Sequence, residues 1–194
     1  MTVAVVTNEC QRGAIGDHAL WPALVDAAKS MVPSLARLLA SARDRNVPVL
    51  HCVAMRRADL LGANTNAPLF EVASRSGGLR IGTPAVELMP ELGPAASDLV
   101  FPKRHGVASL RSTGLDAALR NLGVDEIVLT GVSVNVAIPA LAFEAVNRGY
   151  RVTIPRDAVA GVPSSYVDDV FKNTLSLVAT ITSVDELIAR WRMT

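Results

Sequence analysis

Short β-branched runs alternate with helical stripes from one end of this sequence to the other, and few folds accept that alternation. The runs Val3–Thr7, Val47–Val53, Asp98–Phe101, Glu126–Thr130, Arg151–Ile154 and Val178–Thr182 read as strands. Most are near-continuous apolar stretches rather than polar alternations, as in parallel strands covered on both faces. Between them, apolar residues recur at i, i+3, i+4 and i+7, the spacing of one buried helix face. Leu35, Leu38, Leu39 and Ala42 form one such stripe; Leu115, Ala118, Leu119 and Leu122 form another. Ile138, Leu141, Ala142 and Ala145 follow, then Val167, Val170, Phe171 and Thr174, then Val184, Leu187, Ile188 and Trp191. Gly123 and Gly149 stand where helices end, each just ahead of a strand. Ser183 and Glu186 have the spacing of a capping box. This order predicts an α/β fold: a three-layer αβα sandwich around a doubly wound, mainly parallel six-stranded sheet, with residues 1–194 as one domain.

The chain's 194 residues are enough for one substantial core, and half of them are apolar. Nineteen basic and 18 acidic side chains leave a net charge of +1, which carries neither a nucleic-acid footprint nor an acidic tail. The expected partner is a small-molecule substrate, with no nucleic acid and no membrane. No apolar run approaches the ~18 residues of a membrane span, and Val3–Val6 follows Met1-Thr2 with no basic leader. Two isolated thiols, Cys10 and Cys52, make neither a disulfide framework nor a zinc site, so a reducing cytoplasm is the expected compartment. Residues 56–94 are irregular and rich in Gly, Pro, Asn and Ala. Such an insert is expected to carry short helices and to serve as a lid or an oligomer contact.

Ligands of open α/β sheets bind outside the carboxyl ends of the strands, where the strand order reverses. After the first strand come Asn8, Glu9, Cys10 and Gln11; after the third, Lys103, Arg104 and His105; after the fourth, Gly131 to Ala137; after the fifth, Arg156 and Asp157. If the first and fourth strands are neighbours, Glu9 meets the 131–137 turn. A carboxylate beside Lys103 is either held ionised by the cation or, if buried and protonated, serves as a general acid. The alternative for this pair is a structural salt bridge. Backbone N–H groups at the start of the helix after Ser133 suit an oxyanion or a carboxylate. Asn135 reads as a helix cap or a ligand contact, and His105 as a packing histidine or a substrate contact. Gln11 is a further candidate contact, and Arg156-Asp157 is expected to fix a turn. Cys10 points away from Glu9 on an alternating strand end and reads, like Cys52, as a core thiol. His18, His51 and His105 have no metal-ligand spacing, so no metal and no cofactor are expected.

The segment LTGVSVNVAIPALAFEAVNRGYRVTIPRDAVAG resembles the signature region of the isochorismatase-like hydrolases, a family that includes nicotinamidases and carbamoylases. Its members usually carry Gly-Val-x-Thr-x-x-Cys-Val there, then a helix ending in Gly-Tyr and a strand ending in x-Asp-Ala. Val134 stands here for the Thr and Ala137 for the Cys. Glu9-Cys10-Gln11 is similar to the family's Asp-x-Gln, and Lys103, with Arg104 as the alternative, to its lysine. The resemblance implies an Asp–Lys–Cys hydrolytic triad whose positions are Glu9, Lys103 and Ala137, and a cis peptide at Val132–Ser133. It also implies a homo-oligomer, and no counterpart of the nicotinamidase metal ligands is visible. Alanine forms no thioimidate or acyl intermediate, so amide hydrolysis by that route is unavailable. Three readings stay open. One is an isochorismatase-like acid mechanism on a vinyl ether of a small polar or carboxylated metabolite, with Glu9 as acid/base and Ser133, Asn135, Gln11 and His105 holding substrate. Another is a non-catalytic relative that binds a metabolite or a partner. The last is a Cys-to-Ala variant of a cysteine amidohydrolase.

Overall fold

The computed structural model describes residues 2–193. Along it run β1 (Val3–Asn8), α1 (Arg12–Ile15), α2 (Pro22–Ala28), α3 (Met31–Asp44), β2 (Val49–Ala54), α4 (Pro68–Arg75), β3 (Leu99–Lys103) and α5 (Leu115–Asn121). The second half adds β4 (Glu126–Val132), α6 (Ala137–Asn147), β5 (Arg151–Pro155), β6 (Val159–Ala160), α7 (Ser164–Asn173), β7 (Thr180–Thr182) and α8 (Val184–Arg192). The strands lie side by side, all parallel, in the order β3-β2-β1-β4-β5-β7. From β1 the chain winds outward through β2 to β3, then returns to the other side of β1 and winds outward again. The reversal falls between β1 and β4, whose register pairs Val3 with Glu126 and Asn8 with Gly131.

Alternation along the strands divides the core into two layers. Ala4, Val6, Leu50, Ile127 and Leu129 pack with the stripes of α5, α6 and α7. Val5, Val49, Val128 and Val132 pack on the other face with α2, α3 and α8. Leu35, Leu38, Leu39 and Ala42 of α3 are all fully buried. Each such leucine stabilises the fold by about 1.5–3 kcal/mol. Ser183 and Glu186 close the capping box at α8: Glu186 N donates to Ser183 Oγ at 3.2 Å, and Ser183 N to Glu186 Oε2 at 2.9 Å.

The strand limits differ from those read in the sequence where local bonds compete. Val47 N donates to Ala42 O and so closes the end of α3, delaying β2 to Val49. Val178 belongs to a tight turn, its N–H given to Leu175 O, so β7 starts at Thr180. Two-residue β6 is an addition, pairing Val159 and Ala160 with Gly131 and Val132 at the end of β4. The 56–94 insert carries α4 and two single 3-10 turns, Pro84–Val86 and Pro90–Leu92. No helix among the described residues is long and apolar enough to cross a membrane.

Candidate active site at the strand switch point

β1 and β4 stay paired through Asn8 and Gly131, and a cavity of about 410 Å³ lies beyond their carboxyl ends. Gly131 makes the close approach possible. Its φ is +97°, and a Cβ on it would lie 2.3 Å from Asn8 O and 2.7 Å from Cys10 Sγ. No other residue type fits both the backbone and the space.

Glu9 follows β1 with a φ of +54°, a left-handed backbone uncommon outside glycine, and its N–H is anchored to Cys52 O at 2.8 Å. Its side chain lines the cavity, where Lys103 donates from Nζ to Glu9 Oε1 and also to Val107 O at 2.8 Å. Lys103 is only 4% exposed at its side chain and Glu9 25% exposed. The pair is therefore screened far less than a surface bridge. Of the two basic residues at the end of β3, Lys103 makes this contact, while Arg104 lines the cavity from an exposed position.

Ser133, Asn135 and Ala137 line the same cavity. The Val132–Ser133 peptide is cis, at the position the resemblance assigns it. Val134 N is tied to Ala160 O at 2.9 Å, and Ile138 N reaches back to Ser133 O at 3.0 Å. Ala137 is buried and opens α6, so its N–H belongs to the first turn, whose donors lack intrahelical partners. The N-cap is Val136; Asn135 instead accepts from Val162 N at 3.4 Å and faces the cavity. His105 lies on the rim beside Gly106 and Asn64, whose Oδ1 accepts from Gly106 N at 2.8 Å.

Gln11, Arg156 and Asp157 stand apart from the cavity lining. Gln11 is fully buried, and its carboxamide is consumed by backbone: Nε2 donates to Ala54 O and Ala85 O, and Oε1 accepts from Ala54 N at 2.7 Å. It ties β1 to the end of β2 and to the insert. Arg156 and Asp157 do structural work. Arg156 pairs with Asp168 and stacks on Phe171, and Asp157 accepts from Val184 N at the start of α8.

Both thiols are fully buried, and burial pushes each up to about 12, with Glu9 the next contribution at Cys10. Neither is a thiolate near neutral pH. Among the described residues no group of three or more His, Cys, Asp or Glu side chains could hold a metal ion.

Two residues near the cavity were not singled out in the sequence. Asn8, fully buried, donates from Nδ2 to Val132 O at 2.6 Å and accepts from Ser109 Oγ at 2.9 Å, tying together β1, β4 and the loop after β3 next to Glu9. A polar residue closing an apolar strand was the available hint. Arg56, just past β2, lines the cavity with its Nη1 buried, and it sits in the insert where no periodicity points to it.

A model of the isochorismatase domain matches residues 3–186. The chain is 28% identical over 156 residues to the uncharacterized isochorismatase family protein YwoC of Bacillus subtilis (strain 168), covering 79% of this chain and 77% of that one. Maleamate amidohydrolase of Pseudomonas putida is 32% identical over 78 residues, 40% of this chain and 36% of that protein. An isochorismatase family protein of Desulfovibrio vulgaris superposes with a TM-score of 0.83 at 26% identity, covering 97% of this chain and 99% of that one. The chain thus belongs to the isochorismatase family of hydrolases.

Proposed function

We propose that the chain hydrolyses a vinyl ether of a small carboxylated or polar metabolite, with Glu9 moving the proton and no covalent intermediate. The observation that carries this is the partly buried Lys103–Glu9 contact in the cavity that Ala137 also lines: an acid–base pair with alanine at the position the resemblance gives to the nucleophilic cysteine. Glu9 gives its proton to the terminal vinyl carbon, and the electron pair of the double bond forms the new C–H bond. Water adds to the resulting oxocarbenium carbon and returns its proton to Glu9. The hemiketal then breaks its C–O bond to release an alcohol and a keto product. Lys103 stabilises Glu9 as carboxylate between the two proton transfers. Donors in the Ser133–Ala137 turn, with Asn135 and His105, hold the substrate's oxygen atoms. Gln11 serves indirectly, by holding the strand ends.

The chain is further proposed to act in the cytoplasm as a homo-oligomer, an assembly supported by exposed Leu61, Val72 and Phe143. The test of the activity is a turnover panel of isochorismate-type vinyl ethers and small amides with the unaltered chain and Ala137→Cys. Vinyl-ether hydrolysis by the unaltered chain is expected, with amide hydrolysis confined to Ala137→Cys. Amide turnover in Ala137→Cys alone, with no vinyl-ether turnover by either, would contradict the reading and leave an amidohydrolase scaffold without its nucleophile. Silence from both favours a role in binding.

A further inference from the structure

We propose that α4 is the specificity element of this cavity. The substrate carries an apolar body, a hydrocarbon ring or a short alkyl chain, that packs on the Leu69–Ala73 side of the helix. The proposal rests on the reading of the cavity as the substrate site and names a class of group that fills it.

α4 lies inside the 56–94 insert and opens on Pro68. Pro68, Leu69, Phe70, Val72 and Ala73 all line the cavity, and all are apolar. The last four stand at i, i+1, i+3 and i+4, which places them on one side of the helix. Glu71 and Arg75, one turn apart, form an exposed ion pair at 3.5 Å, and neither lines the cavity. The helix is amphipathic, and its apolar side belongs to the cavity.

The apolar side of a helix ordinarily packs on the core, and a helix this short depends on such packing. α4 departs from that rule. Among the described residues, none of Leu69, Phe70, Val72 and Ala73 joins either core layer. Leu69 is left 41% exposed while lining the cavity. Val72, at 49%, has surface for a neighbouring copy as well as for the cavity. A space of about 410 Å³ suits a small molecule as the group that covers this surface.

The lining is divided by element. Glu9, Lys103, His105, Ser133 and Asn135 bring polar groups from the strand ends and the turns after them, and α4 brings hydrocarbon alone. A matching ligand is amphiphilic, with its reacting oxygen among the polar groups and its hydrocarbon on α4. A hydroxyl on that hydrocarbon would lose its water and gain no partner from the helix.

The test titrates the full chain with acetamide, butanamide, hexanamide and octanamide, followed by ligand-observed NMR. Affinity should rise about two- to fourfold per added methylene, as far as the cavity holds the chain. The ω-hydroxyl derivative of hexanamide should bind about threefold or more weakly than hexanamide itself. In the double variant Leu69→Ser, Phe70→Ser the rise should flatten, whereas Glu71→Ala, off the lining side, should keep it. A flat series in the unaltered chain, or a rise unchanged in the double variant, would overturn the proposal. If that variant also dissociates an oligomer while keeping the rise, the helix face belongs to a second copy. The series in the unaltered chain stands even if the double variant fails to fold. A steep series without vinyl-ether hydrolysis would keep α4 as the specificity element and remove the catalytic reading alone. A flat series beside hydrolysis that is lost in Glu9→Gln would remove the role of α4 alone.

Discussion

Lys103 reaches Glu9 across an intervening strand: the two residues close the carboxyl ends of β3 and β1, and β2 lies between them. The strand order creates this contact, because Lys103 pairs with Ala54 of β2 while Asn8 pairs with Cys52. Removing Glu9 leaves a buried ammonium with only Val107 O. Glu9→Gln keeps an acceptor there and should cost on the order of 1 kcal/mol, whereas Glu9→Ala should cost on the order of 1–3 kcal/mol. A fully buried pair would lose more, roughly 3–5 kcal/mol, but Glu9 is 25% exposed. Urea unfolding of the two variants checks the order.

Gly131→Ala should be more damaging than either. The new methyl meets Asn8 O at 2.3 Å while the backbone holds a φ of +97°. Left-handed strain and overpacking together predict a loss of about 2–4 kcal/mol. Because β1 must shift, the Glu9 turn moves with it. A lowered unfolding midpoint accompanied by weakened ligand binding is the expected result.

Acid should weaken the fold through His51 before it reaches most carboxylates. Asp98 only accepts hydrogen bonds when ionised, so its contact with His51 Nε2 at 3.2 Å puts the proton there and leaves Nδ1 to accept from Thr7 Oγ1 at 2.7 Å. Burial lowers His51 from 6.5, with Asp98 opposing. Between the lowered value and 6.5 the unfolded chain binds more protons than the folded one, so stability is full above 6.5 and falls as the pH drops below it. Asp98 adds a second loss at lower pH. Burial raises it, but Arg43, the Ala95 N–H and His51 together hold it below 3.8. Denaturant midpoints at pH 7.5 and 5.5 should differ in the unaltered chain and converge in His51→Gln.

Cys10 should resist alkylation. Burial and the neighbouring Glu9 charge hold its thiol at about 12, and it is fully buried beside Gly131. Native protein at pH 7.5 should react with iodoacetamide at neither Cys10 nor Cys52, while denatured protein reacts at both. Fast modification of Cys10 in the native state would contradict its place as an inert core thiol.

What the sequence made legible follows the range of the interactions involved. The strands and the stripe Leu35–Ala42 were readable because each run carries its own period, whereas the approach of Glu9 to the 131–137 turn was conditional on β1 and β4 being neighbours, a long-range pairing that no local period encodes. Strand ends such as Val178 depended on a turn bond to Leu175 that competes with pairing. β6 exists only because β4 approaches it at Gly131 and Val132. Gln11 looked like a ligand contact, yet partners at Ala54 and Ala85, 43 and 74 residues away, take up its amide. Arg56 was invisible for the same reason: its clamp at Leu79 and Ile81 lies across an insert without a period.

The central claim is that Glu9 supplies the proton, and the most direct measurement is isochorismate hydrolysis by the unaltered chain and by Glu9→Gln, with circular dichroism confirming that both are folded. The account predicts turnover by the unaltered chain and a loss on the order of 10²–10⁴ in kcat for the variant. Equal rates in the two, or no hydrolysis by the unaltered chain, would contradict it.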